Sequence, residues 1–339
     1  MIDCDIIGGM DYGELFKGKK VLITGGAGFI GSALARAFVS LGARVTILDA
    51  LLPLYGGNLF NLKSIADQVE FVEGDIRDKD LVEKIVAGQD FIFNLAAQVS
   101  LPDSQLDPFL DLDINCRGHL NVLEAARIIA PTAKIFFPSS RMVYGQPKCL
   151  PVTEDHSTEP MVMYGVHKLT GEKYYQLYHK IFGLHTVIVR LPNPYGPGQQ
   201  MKHNKYSALG WFVRLALEDK EITVFGDGKQ ERDYIYIDDV TEAWLALAAS
   251  GKAGEIYNLG NPEKVSVVEA IDQILLESKT GTKRHIDWPA DHLQRETGGY
   301  VADTSKIERD AGWRVKTDFK SGIRKMVAYY KENRDFYWQ

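Results

Sequence analysis

Ser140, Tyr164 and Lys168 are the residues of this chain whose types and spacing suit proton transfer. They stand in "SSRMVYG" (139–145) and "YGVHK" (164–168). A tyrosine and a lysine four positions apart share one helix face. A phenol ionises near pH 10, too high for a base in neutral cytosol, and an adjacent ammonium brings that value down. Such a pair also occurs on ordinary helix faces. What turns it toward chemistry is a serine just past the fifth predicted strand, because ligands in open α/β sheets bind at the carboxyl ends of the strands.

A second constellation lies near the start. "VLITGGAGFIGSALARAF" puts Gly25, Gly28 and Gly31 between a strand and a helix, with Phe29 and Ile30 between the last two glycines. Glycines there allow a tight turn, close approach of the backbone to a pyrophosphate and close helix packing, while the helix N-terminus offers N–H groups to the anion. Asp49 follows Gly31 by 18 residues, at the end of the second predicted strand. A carboxylate there accepts hydrogen bonds from both ribose hydroxyls and repels a 2′-phosphate, which favours NAD over NADP. The positive nicotinamide of NAD adds to Lys168 in favouring a Tyr164 phenolate.

The elements that must position these residues are legible as alternation. Strands are predicted at 20–24, 44–48, 69–73, 90–94, 134–138 and 185–190, and amphipathic helices at "GSALARAFVSLG" and "INCRGHLNVLEAARII". That order predicts an α/β protein with a Rossmann-type doubly wound parallel sheet and a smaller, mostly C-terminal α/β substrate domain. After residue 190 the alternation weakens until "DDVTEAWLALAAS" and "GEIYNLG" restore a helix and a strand. The expected division is an N-terminal extension at 1–17 and an NAD-binding domain at 18–191, with 236–262 returning to it. The substrate domain takes 192–235 and 263–339.

Composition narrows the class. The chain has 339 residues, 45% hydrophobic and 25% charged, with a net charge of −6. That is globular and gives no reason to expect nucleic acid. Cys4, Cys116 and Cys149 have neither metal-ligand spacing nor the even number of a disulfide framework. His156, His167 and His179 are too scattered for ligands, so no metal is expected. The start lacks a signal-peptide pattern, and no apolar stretch approaches the roughly 20 residues that span a bilayer. A cytoplasmic protein without membrane contact is expected.

Together, "TGGAGFIG", "GDIRD", "NLAAQ", "SSRMVYG", "YGVHK" and "FGDGKQERDYIYIDDV" resemble the extended short-chain dehydrogenase/reductase family, in its nucleotide-sugar epimerase and dehydratase branch. The resemblance runs from about Gly18 to about Tyr330. It implies a catalytic triad of Ser140, Tyr164 and Lys168. Asp75 and Ile76 would flank the adenine, and Ala96 and Ala97 would line the path to the nicotinamide ribose. Asn115 resembles a buried structural asparagine. On the substrate side Asn193 resembles the asparagine that contacts the nucleotide sugar, and Arg232 the arginine that grips its diphosphate. The alternative for Arg232 is a salt bridge to Asp233 or Asp238. Arg295 is a candidate second phosphate arm, although its spacing to "VADTSKI" departs from the epimerase pattern, as does Gly198. Trp211 and Phe212 read as core, and Lys202, His203 and Lys205 as a solvated run. The helices around 114–129 and 164–180 resemble the pair that builds a four-helix homodimer interface.

Arg141 and Met142 bear on the reaction. The resembling 4,6-dehydratases carry an Asp and Glu pair at these positions, and the decarboxylases a Glu. Methionine transfers no proton and arginine stays protonated. Dehydration would need an acid from elsewhere, with Asp103, Glu154 and His167 as candidates. The expected activity is an NAD-dependent 4-epimerase of an NDP-hexose or NDP-hexuronate, by transient oxidation at C4 and hydride return. Arg141 either faces a substrate carboxylate or points into protein. The alternatives are a dehydratase, decarboxylase or keto-sugar reductase on the same fold, and a nucleotide-binding protein without turnover.

Overall fold

The computed structural model describes residues 6–7, 10–53, 55–293 and 296–338. Its centre is a seven-stranded, wholly parallel sheet of β1 (Lys20–Thr24), β2 (Arg44–Asp49), β3 (Val69–Glu73), β4 (Phe91–Asn94), β5 (Lys134–Ser140), β6 (His185–Leu191) and β7 (Ile256–Asn258). In space the order is β7-β6-β5-β4-β1-β2-β3. The strand order reverses beside β1, and that crevice is where a doubly wound sheet binds its ligand.

The β-branched runs form strands because both faces are covered, so beyond their first residues the side chains of the central strands are buried. Val21 and Ile23 of β1 face one core cluster and Leu22 the other. The first cluster is closed by α1 (Phe29–Ser40) and α6 (Ile237–Ser250). The second is closed by α2 (Lys79–Val86), α3 (His119–Ile129) and α4 (Met163–Phe182). Gly183, in the left-handed conformation at φ 72°, ends α4 and turns the chain into β6. Before β1, the helix Tyr12–Phe16 buries Phe16 edge-on against Phe38 and Phe91. This part of the expected extension therefore packs into the main core.

The region expected to lack steady alternation contains α5 (Ala208–Leu217) and strands pieced together from distant segments. Asn193–Tyr195 pairs with Tyr234–Tyr236, Glu221–Phe225 with Thr282–Ile286, and Glu231–Arg232 with Val265–Ser266. Helices α7 (Val267–Ser278) and α8 (Phe319–Asn333) complete it, α7 entered through a capping box of Ser266 and Glu269. The sparse pattern has a physical reason: two- to five-residue strands are too short to show a period. No helix among the described residues is long and apolar enough to cross a membrane.

Candidate active site

Strand β5 ends at Ser140, and the chain turns at once through Arg141–Val143. The Ser140 hydroxyl accepts from the Met142 N–H at 3.2 Å, and its influence on the Tyr164 phenol is to ease ionisation. Lys168 lies one turn along α4 from Tyr164, almost fully buried. Its Nζ donates to the Pro138 carbonyl at 2.9 Å and stands 5.7 Å from the centroid of the Tyr164 ring. The three residues expected to act together are thus brought together.

Their electrostatics differ from the expectation. Burial raises the Tyr164 pKa, Ser140 opposes it, and the buried Asp111 carboxylate adds to the rise. Burial lowers Lys168 to about 8, against the pull of Asp111 and Cys116. The lowering influence on the phenol comes from Ser140, and burial outweighs it. Folding therefore disfavours the charged form of Lys168. Its contribution to stability is smallest below pH 8 and grows as pH rises from about 8 toward the ordinary value of 10.5. Lys168→Met is accordingly expected to melt at or above the wild-type temperature at pH 7 in the ligand-free protein, while turnover falls at least about 100-fold. Melting curves at pH 7 and pH 10 with matched kcat values check both halves; a large loss of stability would contradict the sign.

Beneath the triad lies a charged network that the sequence reading missed. Glu172 sits four residues beyond Lys168 and is fully buried. It accepts from Ser139 Oγ at 2.5 Å and from Arg190 Nε and Nη2 at 2.8 and 2.7 Å. Arg190 also donates to the Tyr144 hydroxyl at 2.8 Å and the Glu154 carbonyl at 3.0 Å. This network ties β5, β6 and α4 together directly behind Ser140. A second network holds the path at Ala96. Burial pushes His119 down to about 3, so its ring is neutral. Its Nε2–H donates to Ala96 O at 3.0 Å, leaving Nδ1 to accept from Asn94 Nδ2 at 3.0 Å.

A single cleft of about 980 Å³ is lined by Gly25, Gly28, Phe29, Ile30, Gly31, Asp49, Asp75, Ile76, Ala96 and Ala97 at one end. Ser140, Tyr164 and Lys168 follow, and Arg141, Asn193 and Arg232 line the other end. Arg295 lies outside the described residues. Asn115 is buried on a π-helical turn, bonded to Gln98 O and Asp111 Oδ1, and plays the structural part expected of it.

The cradle at the first end fits a dinucleotide. Gly25 has φ 66°, and a Cβ on it would stand 2.9 Å from the Ala96 backbone. A Cβ on Gly31 would lie 2.3 Å from Gly25 O, so only glycine lets α1 approach the turn. Asp49 accepts from the Ala27 and Leu51 N–H groups at 3.0 and 2.9 Å, and burial raises its pKa against those bonds. A carboxylate has four lone-pair sites, so it retains capacity for a ribose.

Several expectations change at the far end. Arg232 pairs with neither Asp233 nor Asp238; its Nη2 meets Glu296 Oε1 and Oε2 at 2.6 and 2.7 Å, and Nη1 meets Gly298 O at 2.9 Å. Trp211 and Phe212 line the cleft instead of sitting wholly in the core, since α5 presents that side to the opening. Lys205, expected in a solvated run, lines it too and pairs with Asp103 at 2.7 Å. The three acids considered for dehydration do not line the cleft. Asp103 holds Lys205, Glu154 accepts from Asn258 N, and His167 is buried against Asp111. Among the described residues the lining acids are Asp49, Asp75 and Glu296.

Residues 21–260 match the family described as the NAD dependent epimerase/dehydratase family. A putative UDP-glucose 4-epimerase of Methanocaldococcus jannaschii is 36% identical over 314 residues, covering 92% of this chain and 99% of its own. A dTDP-glucose 4,6-dehydratase of Streptomyces niveus is 32% identical, covering 93% and 94%. The solved structure of an epimerase from Methanothermobacter thermautotrophicus superimposes with a TM-score of 0.89 at 28% identity, covering 96% of each chain. On the strength of the matched sequence and a cradle shaped for a dinucleotide, this chain belongs to the NAD-dependent epimerase/dehydratase family, with NAD as its cofactor.

Proposed function

We propose that the protein is a nucleotide-sugar 4-epimerase, acting on an NDP-hexose or NDP-hexuronate. The observation that carries this is that, among the described residues, no free acid lines the cleft at its sugar end. Positions 141 and 142 are arginine and methionine, and the cleft-lining acids among the described residues stand at the nucleotide end or are held by Arg232. A 4,6-dehydratase or a decarboxylase of this family would need such an acid near the sugar.

In this reading Tyr164 takes the proton of the sugar 4-hydroxyl and later returns it, and Ser140 holds the same oxygen. When bound, NAD supplies reversible hydride acceptance at the sugar carbon and a positive ring that favours the Tyr164 phenolate. Lys168 keeps the pocket cationic. Asn193 and Arg232 hold the nucleotide diphosphate, which competes with Glu296 for the guanidinium. Gly25 to Gly31, Asp49, Asp75, Ile76, Ala96 and Ala97 hold the dinucleotide. We further propose that residues 18–191 with 236–262 form the dinucleotide domain and residues 192–235 with 263–339 the substrate domain, with the sugar bound between them. Incubation with a panel of UDP- and dTDP-linked hexoses and hexuronates, followed by chromatography and mass measurement, tests the reading. The expected product is a C4 epimer of unchanged mass; loss of water or CO₂ would overturn it.

We also propose a homodimer through paired helices. Val166, Leu177 and Ile181 form one exposed apolar stripe on α4, beside Ile128 of α3 and the highly exposed Leu106 and Phe109. That continuity on two neighbouring helices is what a four-helix interface would cover. Light scattering at micromolar concentration is expected to give a dimer, and the pair Leu177→Asp and Ile181→Asp a monomer; a monomeric wild type contradicts it. Cys116 and Cys149 are free thiols, in keeping with a cytoplasmic location.

A further inference from the structure

Arg141 follows Ser140 directly and lines the same cleft, beside the triad. Its Nη1 donates to Thr297 Oγ1 at 3.0 Å, and its guanidinium carbon lies 5.6 Å from the centroid of the Tyr300 ring. Those contacts engage a small part of a group with five N–H donors. Among the described residues no carboxylate comes within ion-pair distance of it. The nearby acids are already committed. Both oxygens of Glu296 are on Arg232, and Asp233 accepts from the Asn261 and Ala302 N–H groups. Burial pushes Asp233 up to about 7, so it is not a full counter-charge near neutral pH. Burial and then the repulsion of Arg232 lower Arg141 to about 10 against the weaker pull of Tyr300, Glu296 and Asp233, so the guanidinium remains charged. A cation drawn partly out of water without an anion is unfavourable, and a ligand anion relieves that.

The reading of the site above puts a sugar between Tyr164 and the diphosphate arm Arg232, and the present inference rests on that placement. We propose that Arg141 reads a carboxylate carried by the sugar, so that the substrates are nucleotide-linked sugar acids in preference to neutral hexoses. The diphosphate is served by Arg232 and leaves Arg141 unmatched. A guanidinium fork fits two carboxylate oxygens, whereas a neutral hydroxyl accepts a bond without cancelling the charge. The carboxylate belongs either to C5, as in a hexuronate, or to an ether substituent on the ring.

Titration calorimetry on the NAD-loaded enzyme distinguishes these cases without relying on turnover. The ligands are matched UDP- and dTDP-linked glucuronate and glucose, and a UDP-sugar with an ether-linked carboxylate. An acid is expected to bind on the order of 10- to 100-fold more tightly than its neutral counterpart. In Arg141→Gln that ratio is expected to collapse toward one, and Arg141→Lys to retain part of it. Which acid shows the Arg141-dependent gain tells where the carboxylate sits. A wild type that binds neutral sugars as well as or better than acids, a ratio unmoved in Arg141→Gln, or no binding of any acid overturns the proposal. Preferred binding of an acid that is then decarboxylated would sink epimerisation and leave Arg141 as the carboxylate reader. Epimerisation confined to neutral hexoses would do the reverse.

Discussion

Tyr164→Phe is expected to lower kcat on the order of 1000-fold, with substrate and cofactor dissociation constants within about threefold of wild type. The change removes one oxygen. The ring stays packed among Met142, Val162 and Leu101, so the pocket keeps its shape. Burial already disfavours the phenolate, so losing the hydroxyl removes no charge on which the fold depends. The loss should therefore fall on the chemical step. Steady-state kinetics beside direct titration of both ligands check this; near-wild-type kcat would remove Tyr164 from the reaction.

Glu172→Gln is expected to give the largest effect on stability, about 3–5 kcal/mol, because it leaves the Arg190 cation buried without its partner. Both side chains are almost entirely out of solvent, and their fork is bidentate. The melting temperature should fall by on the order of 10 °C. Replacing both members by Met should recover part of that loss, since the uncompensated charge goes with the pair. Denaturant titration of the two single variants and the double variant measures the coupling. Ser139 is held by the same carboxylate, so the surviving folded fraction of Glu172→Gln should also turn over more slowly through a displaced Ser140.

How far the sequence carried depends on the range of the interaction. Strands β1, β2, β4, β5 and β6 were legible because a parallel strand covered on both faces needs a continuous run of apolar residues, and the edge strand β3 from its alternation of apolar residues with exposed glutamates. Gly25, Gly28 and Gly31 were legible because turn, approach and packing act within one short segment. Tyr164 and Lys168 were legible from one helical turn. The Arg232–Glu296 and Arg141–Thr297 contacts were not, since their partners lie 64 and 156 residues apart. Trp211 and Phe212 show why spacing falls short: it identifies α5 but not which side faces the opening. Glu172 had a signal that went unused. It continues the Tyr164 and Lys168 face of α4, and Arg190 is a charge in a buried strand directly after the apolar run Val187–Val189.

The central claim is that the sugar is oxidised and reduced at C4 with no proton moved on or off carbon. Proton NMR of the reaction in D₂O, with the UDP- and dTDP-linked hexoses and hexuronates as substrates, tests it most directly. The account predicts inversion at C4 with no deuterium on any sugar carbon. Deuterium at C5, or a product lacking water or CO₂, would contradict it and place a proton shuttle in the cleft beyond Arg141 and Met142.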